Sequence, residues 1–565
     1  MRELKYELTT LANVKDCIEL SEPLAFDLET NGFYGHIRCA QFYQEHWDKA
    51  LLVPNPEVLE LIMLVRTCHI VAHNTSYEVS TLQCQYGAML EGPPKFYKQE
   101  SWDDTLLLAK LKWYNKDSHT LNACYRYTFR ADPYAAMGLN KKAMQSAWGG
   151  GDIPTDAMYQ YAATDVFYLI ELYNKCKSFK ESESYKLDHI ATSNAFKFQC
   201  NGFPFNKERI LELREENLKR VDELAVPINV NSWQQVRPYI GENESHGLAL
   251  ATFALEGNDR ARDVQEARKL LKLNSFLNKF LTESHNDRIY GKFTFTTKSG
   301  RGNCSKQNLQ QLPRKTKGVF EAGPNSVFVL SDYAQLELRY ACALTGEPEM
   351  EKLFKQGMDL HQGTADMMNV PRQQAKTCNF NLLYGGSAKM LRNIFVEEAN
   401  LLLPYDEVAG LKKKWHNLWR VLTAWQDDVI DQWKHGEVFH TVLGRKFKAK
   451  LYTDAMNLPV SGGSAEISKL AMHKMCKAVN NEFTLTKPVR LCNFVHDSFI
   501  WECPDQPELY EKLASIVAES MKSAWEELVQ YTEIPDLPMP VDVLVGKNWG
   551  DMEKGKEVLR YKLTI

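Results

Sequence analysis

The segment PRQQAKTCNFNLLYGG, residues 371–386, restricts the possible fold more than any other part of the sequence. Two cations and two aromatic residues recur at steps of four, which keeps them on one side of an α-helix: Arg372, Lys376, Phe380 and Tyr384. Pro371 suits the first turn of this helix, and Gly385-Gly386 suits its end. Such a stripe fits a nucleoside triphosphate, with charges for the phosphates and rings for the base and sugar.

The composition limits the class of protein. The chain has 565 residues, which predicts about three or four domains. Its net charge is −4, so a nucleic-acid partner would have to meet local basic clusters. Thirteen scattered cysteines without a CxxC pair argue against disulfides and against a structural zinc site. Without a signal peptide or a run of about 18 apolar residues, we expect a soluble cytoplasmic protein with no membrane contact.

Different patterns follow one another along the chain. Residues 1 to about 180 mix short strands, such as LAFDLET and HIVAHN, with helices, including one long helix predicted over IPTDAMYQYAATDVFYLIELYNKC. Helical patterns dominate from about 185 to 290. Strand patterns then enclose a helical stretch at about 346–435, which indicates a sheet-based domain with a helical insertion.

Acidic residues in the first part share the faces of their predicted elements. In LAFDLET, the period of a strand puts Asp27 and Glu29 on one face. Tyr161 and Asp165 lie four apart on a predicted helix, and HNTSYE adds Glu78. A divalent cation would relieve the repulsion between such carboxylates. The ordinary alternative is a set of solvated surface acids and a helix pair.

The order DxE, HNxxYE, YxxxD resembles the DnaQ-like 3′-5′ exonuclease domain over nearly all of residues 1–180. The resemblance implies an RNase H-like α/β sheet whose carboxylates hold two metal ions, with Asp27, Glu29 and Asp165 as metal-site acids and Tyr161 orienting the water. By the same resemblance Glu78 would be a further metal-site acid, although the family has aspartate at this position. The extra methylene predicts reduced or retuned exonuclease activity. Asp104 is a nearby acid at a less central position.

Two further aspartates lie next to predicted strands. Asp332 ends the strand pattern VFVLSD, just before a predicted helix, where ligands commonly bind in α/β sheets. It could instead only cap that helix. FVHDSFI, residues 494–500, places His496 and Asp497 within an apolar run. A turn between two strands is the ordinary interpretation, although a buried carboxylate needs a partner.

The spacing RxxxKxxxFxxxYG resembles motif B of the family A DNA polymerases. SDYAQLELR resembles motif A of the same family and VHDS resembles motif C, and the resemblance extends over roughly residues 288–550. The resemblance implies an α/β and α+β multidomain fold, in which an RNase H-like exonuclease domain precedes a right-hand polymerase. The expected domains are the exonuclease domain at 1–184, the thumb and connecting segment at 185–320, the palm at 321–345 and 436–565, and the fingers at 346–435.

The same resemblance implies roles for individual residues. Asp332, Asp497 and the backbone carbonyl of Tyr333 would bind two Mg²⁺ ions, which Mn²⁺ could replace. Lys376 would donate a proton to pyrophosphate, and Glu337 would exclude a 2′-hydroxyl. The expected dNTP contacts are Tyr333, Gln335, Glu337, His361, Arg372, Lys376, Phe380 and Tyr384. The expected DNA contacts are Arg301, Asn308, Gln310, Asn457 and His496.

Motif C departs from the family pattern. Ser498 stands where the family usually has glutamate, so metal binding is assigned to Asp332 and Asp497 alone. Three basic segments, PRKTKG, LKKKWHNLWR and GRKFKAK, predict salt-dependent contacts with DNA. The ordinary interpretation of such charge runs is a solvated face.

The sequence therefore predicts primer-dependent DNA synthesis from dNTPs by two-metal nucleotidyl transfer, with 3′-5′ proofreading. Only 26 residues precede Asp27, and this compactness resembles a bacteriophage or mobile-element replicase. We expect a monomer that acts on primer-template DNA in the host cytoplasm, together with a helicase, a primase and a single-strand-binding protein. The alternatives are a single-subunit RNA polymerase and a polymerase-like protein that binds primer-template without catalysis.

Overall fold

The structure, a computed structural model, describes residues 3–32, 35–87, 99–150, 153–483 and 489–563. The chain forms two compact units. The first consists of Met1–Asn201, Phe293–Gly300 and Leu443–Phe447, and the second of Gly202–Lys292, Arg301–Val442 and Lys448–Ile565. Within the described ranges, no helix is both long enough and apolar enough to cross a membrane.

A six-stranded sheet lies at the centre of the first unit. Its strands are β1 Tyr6–Leu8, β2 Leu24–Thr30, β3 Ile37–Tyr43, β4 Ala50–Pro54, β5 Ile70–Ala72 and β6 Trp102–Asp104. They follow the order β1-β4-β3-β2-β5-β6. Strand β2 is central, because it pairs antiparallel with β3 on one side and parallel with β5 on the other.

Helices cover both faces of this sheet. They are α1 Leu11–Cys17, α2 Val58–Val65, α3 Ser76–Gly87, α4 Thr105–Lys112, α5 Leu121–Phe129, α6 Pro133–Ala136, α7 Lys141–Gly149, α8 Asp156–Phe167, α9 Leu169–Cys176 and α10 Glu183–Gln199, with 3₁₀ helices at Gln99–Ser101 and Lys177–Glu181. The single long helix predicted near residues 153–176 is wrong, because the chain breaks at Tyr168 between α8 and α9. Apolar residues surround both segments, and the break lets each pack into the core. The boundary predicted at residue 184 lies inside α10.

The alternation in β2 determines what each face of the strand contacts. Leu24, Phe26 and Leu28 belong to one buried apolar cluster. Ala25 belongs to a second cluster on the opposite side, which also contains Tyr161 of α8. Since side chains alternate along a strand, Asp27 and Glu29 lie on the face that α8 covers.

Asp103, in β6, is a buried carboxylate that four donors hold. Its oxygens accept hydrogen bonds from His69 Nε2 at 2.7 Å, Tyr173 Oη at 2.8 Å, Lys180 Nζ at 2.6 Å and Tyr185 Oη at 3.0 Å. Burial would raise the pKa of Asp103, but the hydrogen bonds from His69 and Lys180 hold that pKa below its usual range.

We expect Asp103→Leu to lower the free energy of unfolding of the first unit by about 3 kcal/mol, because the four donors would lose their acceptor in the protein interior. Thermal unfolding followed by circular dichroism should show a fall of about 8 °C in the melting temperature. Asp16→Leu, at an exposed position in α1, is the matched control and should change it little. Equal melting temperatures for the two variants would contradict a structural role for Asp103.

The first part of the second unit is mostly helical. In chain order, the elements of residues 203–305 are β7 Phe203–Pro204, α11 Lys207–Glu223, α12 Trp233–Ile240, α13 Gly247–Leu255, α14 Asp259–Glu283, β8 Arg288–Ile289, β9 Lys292–Thr294 and β10 Asn303–Ser305. Of these, β9 belongs to the first unit from Phe293 onward. Val236 of α12, Leu250 of α13 and Val264 of α14 share one apolar cluster. The 25-residue helix α14 therefore supports the two shorter helices.

A strand and a run of helices follow. The elements of residues 314–434 are a 3₁₀ helix at Arg314–Val319, β11 Ser326–Tyr333, α15 Leu336–Thr345, α16 Pro348–Lys355, α17 Leu360–Met368, α18 Arg372–Leu383, α19 Ala388–Ala399, α20 Tyr405–Leu418 and α21 Arg420–Lys434. Glu347 joins two of these helices, because its Oε2 accepts hydrogen bonds from the backbone N–H groups of Val421 and Leu422 at 2.8 and 2.9 Å. The helices run from Leu336 to Lys434, so they begin about ten residues before the helical stretch predicted at about 346–435.

Four strands in the last part of the chain complete a five-stranded sheet around β11. The elements of residues 439–563 are β12 Phe439–His440, β13 Lys446–Phe447, α22 Tyr452–Glu482, β14 Arg490–Val495, β15 Ser498–Pro504, α23 Pro507–Val529, β16 Val541–Gly546, α24 Trp549–Met552 and β17 Leu559–Leu563. The sheet has the order β14-β15-β11-β16-β17, and β11 pairs antiparallel with both neighbours. Tyr333, at the end of β11, donates a hydrogen bond to the Met521 carbonyl of α23 at 2.6 Å, so α23 covers one face of the sheet.

Candidate active sites

A cavity of about 630 Å³ in the first unit, called here the first cavity, brings together the predicted exonuclease residues. Asp27, Glu29, Glu78, Tyr161 and Asp165 all line it. One carboxylate oxygen each from Asp27, Glu29 and Asp165 lies within 4.8 Å of the others, a spacing at which one cation could contact all three. Strand β2 supplies two of these acids and helix α8 supplies the third.

The electrostatics of the first cavity favour a bound cation. Burial, reinforced by the charge of Asp165, raises the pKa of Asp27 to about 8. Burial and the neighbouring acids likewise raise the pKa of Glu29 well above its usual value, and burial raises that of Asp165. Three carboxylates that resist ionisation together form a donor set that fits a divalent cation, which would stabilise their charged forms.

Two tyrosines contact Asp165. Tyr161 is buried on α8 one turn before Asp165 and hydrogen-bonds with it. The Tyr134 hydroxyl also donates to Asp165 Oδ1, and the two rings lie 5.5 Å apart. The sequence indicated Tyr161 through the YxxxD spacing. Nothing in the sequence around Tyr134 marked that residue as part of the site.

Glu78 and Asp104 have different surroundings. Glu78, in the first turn of α3, is only 1% exposed and lies beside Asp27, and burial raises its pKa. Its Oε2 accepts no hydrogen bond from the described residues. Asp104 instead accepts hydrogen bonds from the N–H groups of Asn74, Thr75 and Leu106 at 2.8–3.0 Å. Asp104 therefore caps α4 and fixes the loop before α3, whereas Glu78 keeps an oxygen for a ligand.

Strands β11, β14 and β15 position the two aspartates of the second unit. Val495 pairs with Ser498 across the hairpin, so His496 and Asp497 form its two-residue turn. His496 has φ = +58°, a left-handed conformation that two-residue hairpin turns require. Asp332 lies directly opposite Ser498, which places both aspartates at the same end of the sheet. The helix-cap interpretation of Asp332 is wrong, because the N-cap of α15 is Gln335.

A third acid, which sequence analysis did not identify, accompanies this pair. Asp542 of β16 pairs with Asp332 on the side opposite to Ser498. Directly paired side chains lie on one face of a sheet with their Cβ atoms about 5 Å apart. Burial, Asp497 and Asp542 together raise the pKa of Asp332 well above its usual value. Burial and the charge of Glu337 raise the pKa of Asp497 to about 6, so a nearby positive charge would favour the ionised forms of these acids.

Helix α18 carries most of the predicted stripe. It spans Arg372–Leu383, so Pro371 occupies the N-cap and Tyr384 lies just past the last turn. Pro371 is thus one position earlier than predicted, and the stripe on the helix consists of three residues. Gly385 has φ = +74°, which a residue with a side chain rarely adopts, and this turn ends the helix. Gln426 fixes the end further, since its Nε2 donates to the carbonyls of Leu382 and Leu383.

Asp359, which precedes α17, organises three predicted triphosphate contacts. Its Oδ1 accepts hydrogen bonds from Gln335 Nε2 at 2.9 Å and the His361 N–H at 2.8 Å. Its Oδ2 accepts from Arg372 Nε at 2.9 Å. Burial would raise its pKa, but the hydrogen bonds from Arg372 and Gln335 hold the pKa of Asp359 below its usual range. Its place as the helix N-cap in DLHQGTA was the available sequence signal.

Buried polar groups hold His361. Its Nδ1 lies 3.1 Å from Asn379 Nδ2, and Asn379 Oδ1 accepts a hydrogen bond from Trp415 Nε1 at 2.8 Å. The His361 ring lies 5.4 Å from that of Phe380. Burial, with a contribution from Lys376, lowers the pKa of His361 to about 4. His361 is therefore neutral near pH 7, and with Nδ1 facing Asn379 it presents an Nε2–H donor.

A second cavity of about 220 Å³ lies between α15, α18 and the β14–β15 hairpin. Of the predicted residues, Arg301, Gln335, Glu337, Phe380, His496 and Asp497 line it. Glu337 is central, because its carboxylate accepts a hydrogen bond from the Tyr384 hydroxyl at 2.5 Å and forms an ion pair with Arg301 at 3.0 Å. The structure does not bring the side chains of His361, Arg372, Lys376 and Tyr384 to the lining of this cavity.

The remaining predicted DNA contacts lie nearby but outside that lining. Gln310 donates to the Phe494 carbonyl at 3.1 Å, which ties it to the β14–β15 hairpin. Asn308 Oδ1 accepts from the Gln310 N–H, and Asn457 Oδ1 accepts from the Ser461 hydroxyl.

Several cations of the three basic segments have internal partners. Arg445 forms a buried ion pair with Asp188, and Lys317 lies 2.5 Å from Glu553. Lys412 Nζ donates to the Gly386 carbonyl. These three cations are therefore engaged within the protein, and contact of the basic segments with nucleic acid stays a prediction.

Comparison with known families matches both parts of the chain. The family described as DNA polymerase family A matches residues 209–551, which is more than half of the chain. A family described as 3′-5′ exonuclease matches residues 4–178.

Bacterial proteins are among the relatives in sequence. DNA polymerase I of Aquifex aeolicus (strain VF5) is 27% identical in an alignment of 586 positions, gaps included, which covers 94% of this chain and 96% of the relative. The thermostable DNA polymerase I of Thermus aquaticus is 28% identical over 400 residues, which cover 64% of this chain and 44% of that protein. The chain thus spans nearly all of the Aquifex protein and less than half of the Thermus protein.

A solved structure has the same fold. The POL domain of Pol1 from M. smegmatis, in complex with DNA primer-template and dNTP, matches with a TM-score of 0.75 at 18% sequence identity. The match covers 97% of this chain and 99% of that chain.

Proposed function

Because the chain belongs to DNA polymerase family A and carries a 3′-5′ exonuclease domain, we propose that it extends a DNA primer and also shortens 3′ ends. The first reaction would use the site around Asp332 and Asp497, and the second the site around Asp27, Glu29 and Asp165. The supporting observation is the presence of two separate carboxylate sites, each built on its own sheet, in one chain.

At the polymerase site, Asp332, Asp497 and the Tyr333 carbonyl would hold divalent cations. We propose Mg²⁺, with Mn²⁺ able to substitute. When bound, these cations supply neutralising charge for the reacting phosphate oxygens and the primer hydroxyl.

Residues of α17 and α18, together with Gln335 at the start of α15, would bind and orient the incoming nucleotide. Arg372, Lys376, His361 and Gln335 would donate hydrogen bonds to its triphosphate, and Lys376 would give a proton to the departing pyrophosphate. Phe380 would flank the sugar and Tyr384 the new base pair. The support is the position of three of these groups around Asp359 and the closeness of the Phe380 and His361 rings.

At the exonuclease site, Asp27, Glu29, Glu78 and Asp165 would hold the divalent cations, which supply charge neutralisation and a more acidic water. Tyr161 would orient the attacking water, and Tyr134 would orient Asp165. Glu78 reaches the site despite its extra methylene, since it lies against Asp27. We therefore propose an active exonuclease.

A labelled primer-template separates this proposal from its alternatives. With dNTPs and Mg²⁺ we expect extension, and without dNTPs we expect shortening from the 3′ end. Efficient extension with rNTPs would instead favour a single-subunit RNA polymerase. Binding of primer-template with neither extension nor shortening would favour a protein without catalysis.

Glu337 gives a prediction about sugar selection. We expect Glu337→Ala to lower the preference for dNTP over rNTP by about 10²-fold, because the side chain that lines the second cavity would no longer crowd a 2′-hydroxyl. The measurement is the ratio of kcat/KM for matched dATP and rATP. Glu337→Gln keeps the size and an acceptor for Tyr384, and should retain most of the preference. An unchanged ratio in Glu337→Ala would remove Glu337 from sugar selection.

The biological setting stays a prediction. We propose replication of a bacteriophage genome in the host cytoplasm, by a monomer that works with a helicase, a primase and a single-strand-binding protein. The sequence resemblance supports this setting. Sedimentation of the purified protein tests the monomer, and the genes that flank its coding sequence test the phage origin.

A further inference from the structure

Lys141 lies beside the exonuclease carboxylates, although no sequence motif marked it. It is the first residue of α7 and lines the first cavity together with Asp27, Glu29 and Asp165. Its Nζ lies 5.1 Å from the centre of the Tyr134 ring and 5.9 Å from that of the Tyr161 ring. Lys141 is therefore a cation inside an otherwise acidic site.

Two features hold the lysine in this position. Asn140 caps α7, since its Oδ1 accepts a hydrogen bond from the Ala143 N–H at 3.1 Å, and this fixes the backbone at Lys141. The faces of the two tyrosine rings attract the ammonium group through cation–π interactions. The Tyr134 hydroxyl also donates a hydrogen bond to Asp165, so the same tyrosine contacts both the Lys141 ammonium and a metal-site acid.

The ammonium acts on the carboxylates through space. Its charge lowers the pKa values of Asp27, Glu29 and Asp165, against the larger effect of burial. Yet among the residues that the structure describes, Lys141 Nζ forms neither a hydrogen bond nor an ion pair. Lys141 thus lines, with three N–H donors that the described residues do not use, a cavity that must accept a phosphodiester if the exonuclease function holds.

We propose that Lys141 binds a non-bridging oxygen of the 3′-terminal phosphodiester during exonuclease cleavage. This inference rests on the proposed exonuclease function. In that reaction water adds to phosphorus, the bond to the 3′-oxygen of the preceding nucleotide breaks, that oxygen takes up a proton, and a nucleoside 5′-monophosphate leaves. Negative charge on the non-bridging oxygens is greatest during the transfer, so a fixed ammonium favours the transition state.

The activity test uses the full chain and a single-stranded oligonucleotide. We expect Lys141→Met to lower kcat/KM for 3′ digestion about 10²-fold and Lys141→Arg to recover part of this loss. Lys142→Met, at the exposed neighbouring position, is the matched control and should digest normally. Primer extension by all three variants should equal that of the unchanged protein, which shows that they fold.

A binding test separates phosphate contact from a general effect on the carboxylates. The probe is a trinucleotide with Ca²⁺ in place of Mg²⁺, and its terminal linkage is either a phosphodiester or a neutral methylphosphonate. We expect the neutral linkage to weaken binding about 10-fold in the unchanged protein and in Lys142→Met, but by less than about 2-fold in Lys141→Met. The proposal would be overturned if the neutral linkage weakened binding by the same factor in Lys141→Met as in the unchanged protein. The lysine would then affect binding only through the carboxylates.

The two tests also separate this proposal from the exonuclease function. If the unchanged protein digests DNA but the effect of the neutral linkage on binding does not depend on Lys141, only the proposed phosphate contact is overturned. Coupling in binding, with no digestion by the unchanged protein in Mg²⁺ or Mn²⁺, would overturn the exonuclease function and leave the phosphate contact in place.

Discussion

Asp332→Asn is expected to lower primer extension at least about 10³-fold, while 3′ digestion stays within about 2-fold of the unchanged protein. The substitution keeps the size of the side chain but removes a charge that would hold divalent cations opposite Asp497. The measurement is extension of a labelled primer-template with dNTPs and Mg²⁺, and digestion without dNTPs. The two activities separate because their carboxylates lie on different sheets.

The matched control is Asp505→Asn, because Asp505 is an exposed aspartate directly after strand β15. It should leave both activities unchanged. Normal extension by Asp332→Asn would contradict the proposed polymerase site. Loss of both activities would indicate that the variant misfolds. In that case Asp497→Asn provides a second test, because Asp497 lies in the hairpin turn and not in a paired strand.

Asp27→Asn is expected to have the opposite effect. Digestion of a 3′ end should fall at least about 10³-fold, because the acid at the centre of the exonuclease site would lose its charge, and extension should be retained. The extended products should also keep mispaired 3′ ends that the unchanged protein removes. A mispaired primer with dNTPs therefore measures both reactions in one assay.

Asp48→Asn is the control for this variant, since Asp48 is exposed elsewhere on the first unit. Digestion that persists in Asp27→Asn would assign hydrolysis to other residues. Loss of extension in the same variant would show that the substitution affects more than the exonuclease site.

Much of the architecture was accessible from sequence. The predicted fold class, family and enzyme class are confirmed by the matches to DNA polymerase family A and to a 3′-5′ exonuclease. The physical reason is that periodicity places side chains on faces: Asp27 and Glu29 share one face of β2, and Arg372, Lys376 and Phe380 share one side of α18.

Other features were not accessible because they depend on distant segments. Asp542 meets Asp332 only through the pairing of β11 with β16, and Tyr134 meets Asp165 only through the packing of α6 on α8. The break at Tyr168 also escaped prediction, since an apolar run is compatible with one helix or with two. The spacing of a family motif identifies the residues within that motif. It cannot identify residues from distant segments that contact them in the folded protein.

The hydrogen bonds between Asp359 and Arg372 have a consequence for turnover. If Arg372 meets the triphosphate, it exchanges one anionic partner for another, so the guanidinium is never left without a counter-charge. The side chain is already ordered before the nucleotide arrives, and less entropy is lost on binding. When pyrophosphate departs, Asp359 can take the guanidinium back. If Asp359 and the nucleotide compete for Arg372 in this way, the acid would weaken the binding of pyrophosphate and favour repeated cycles of synthesis over retention of product.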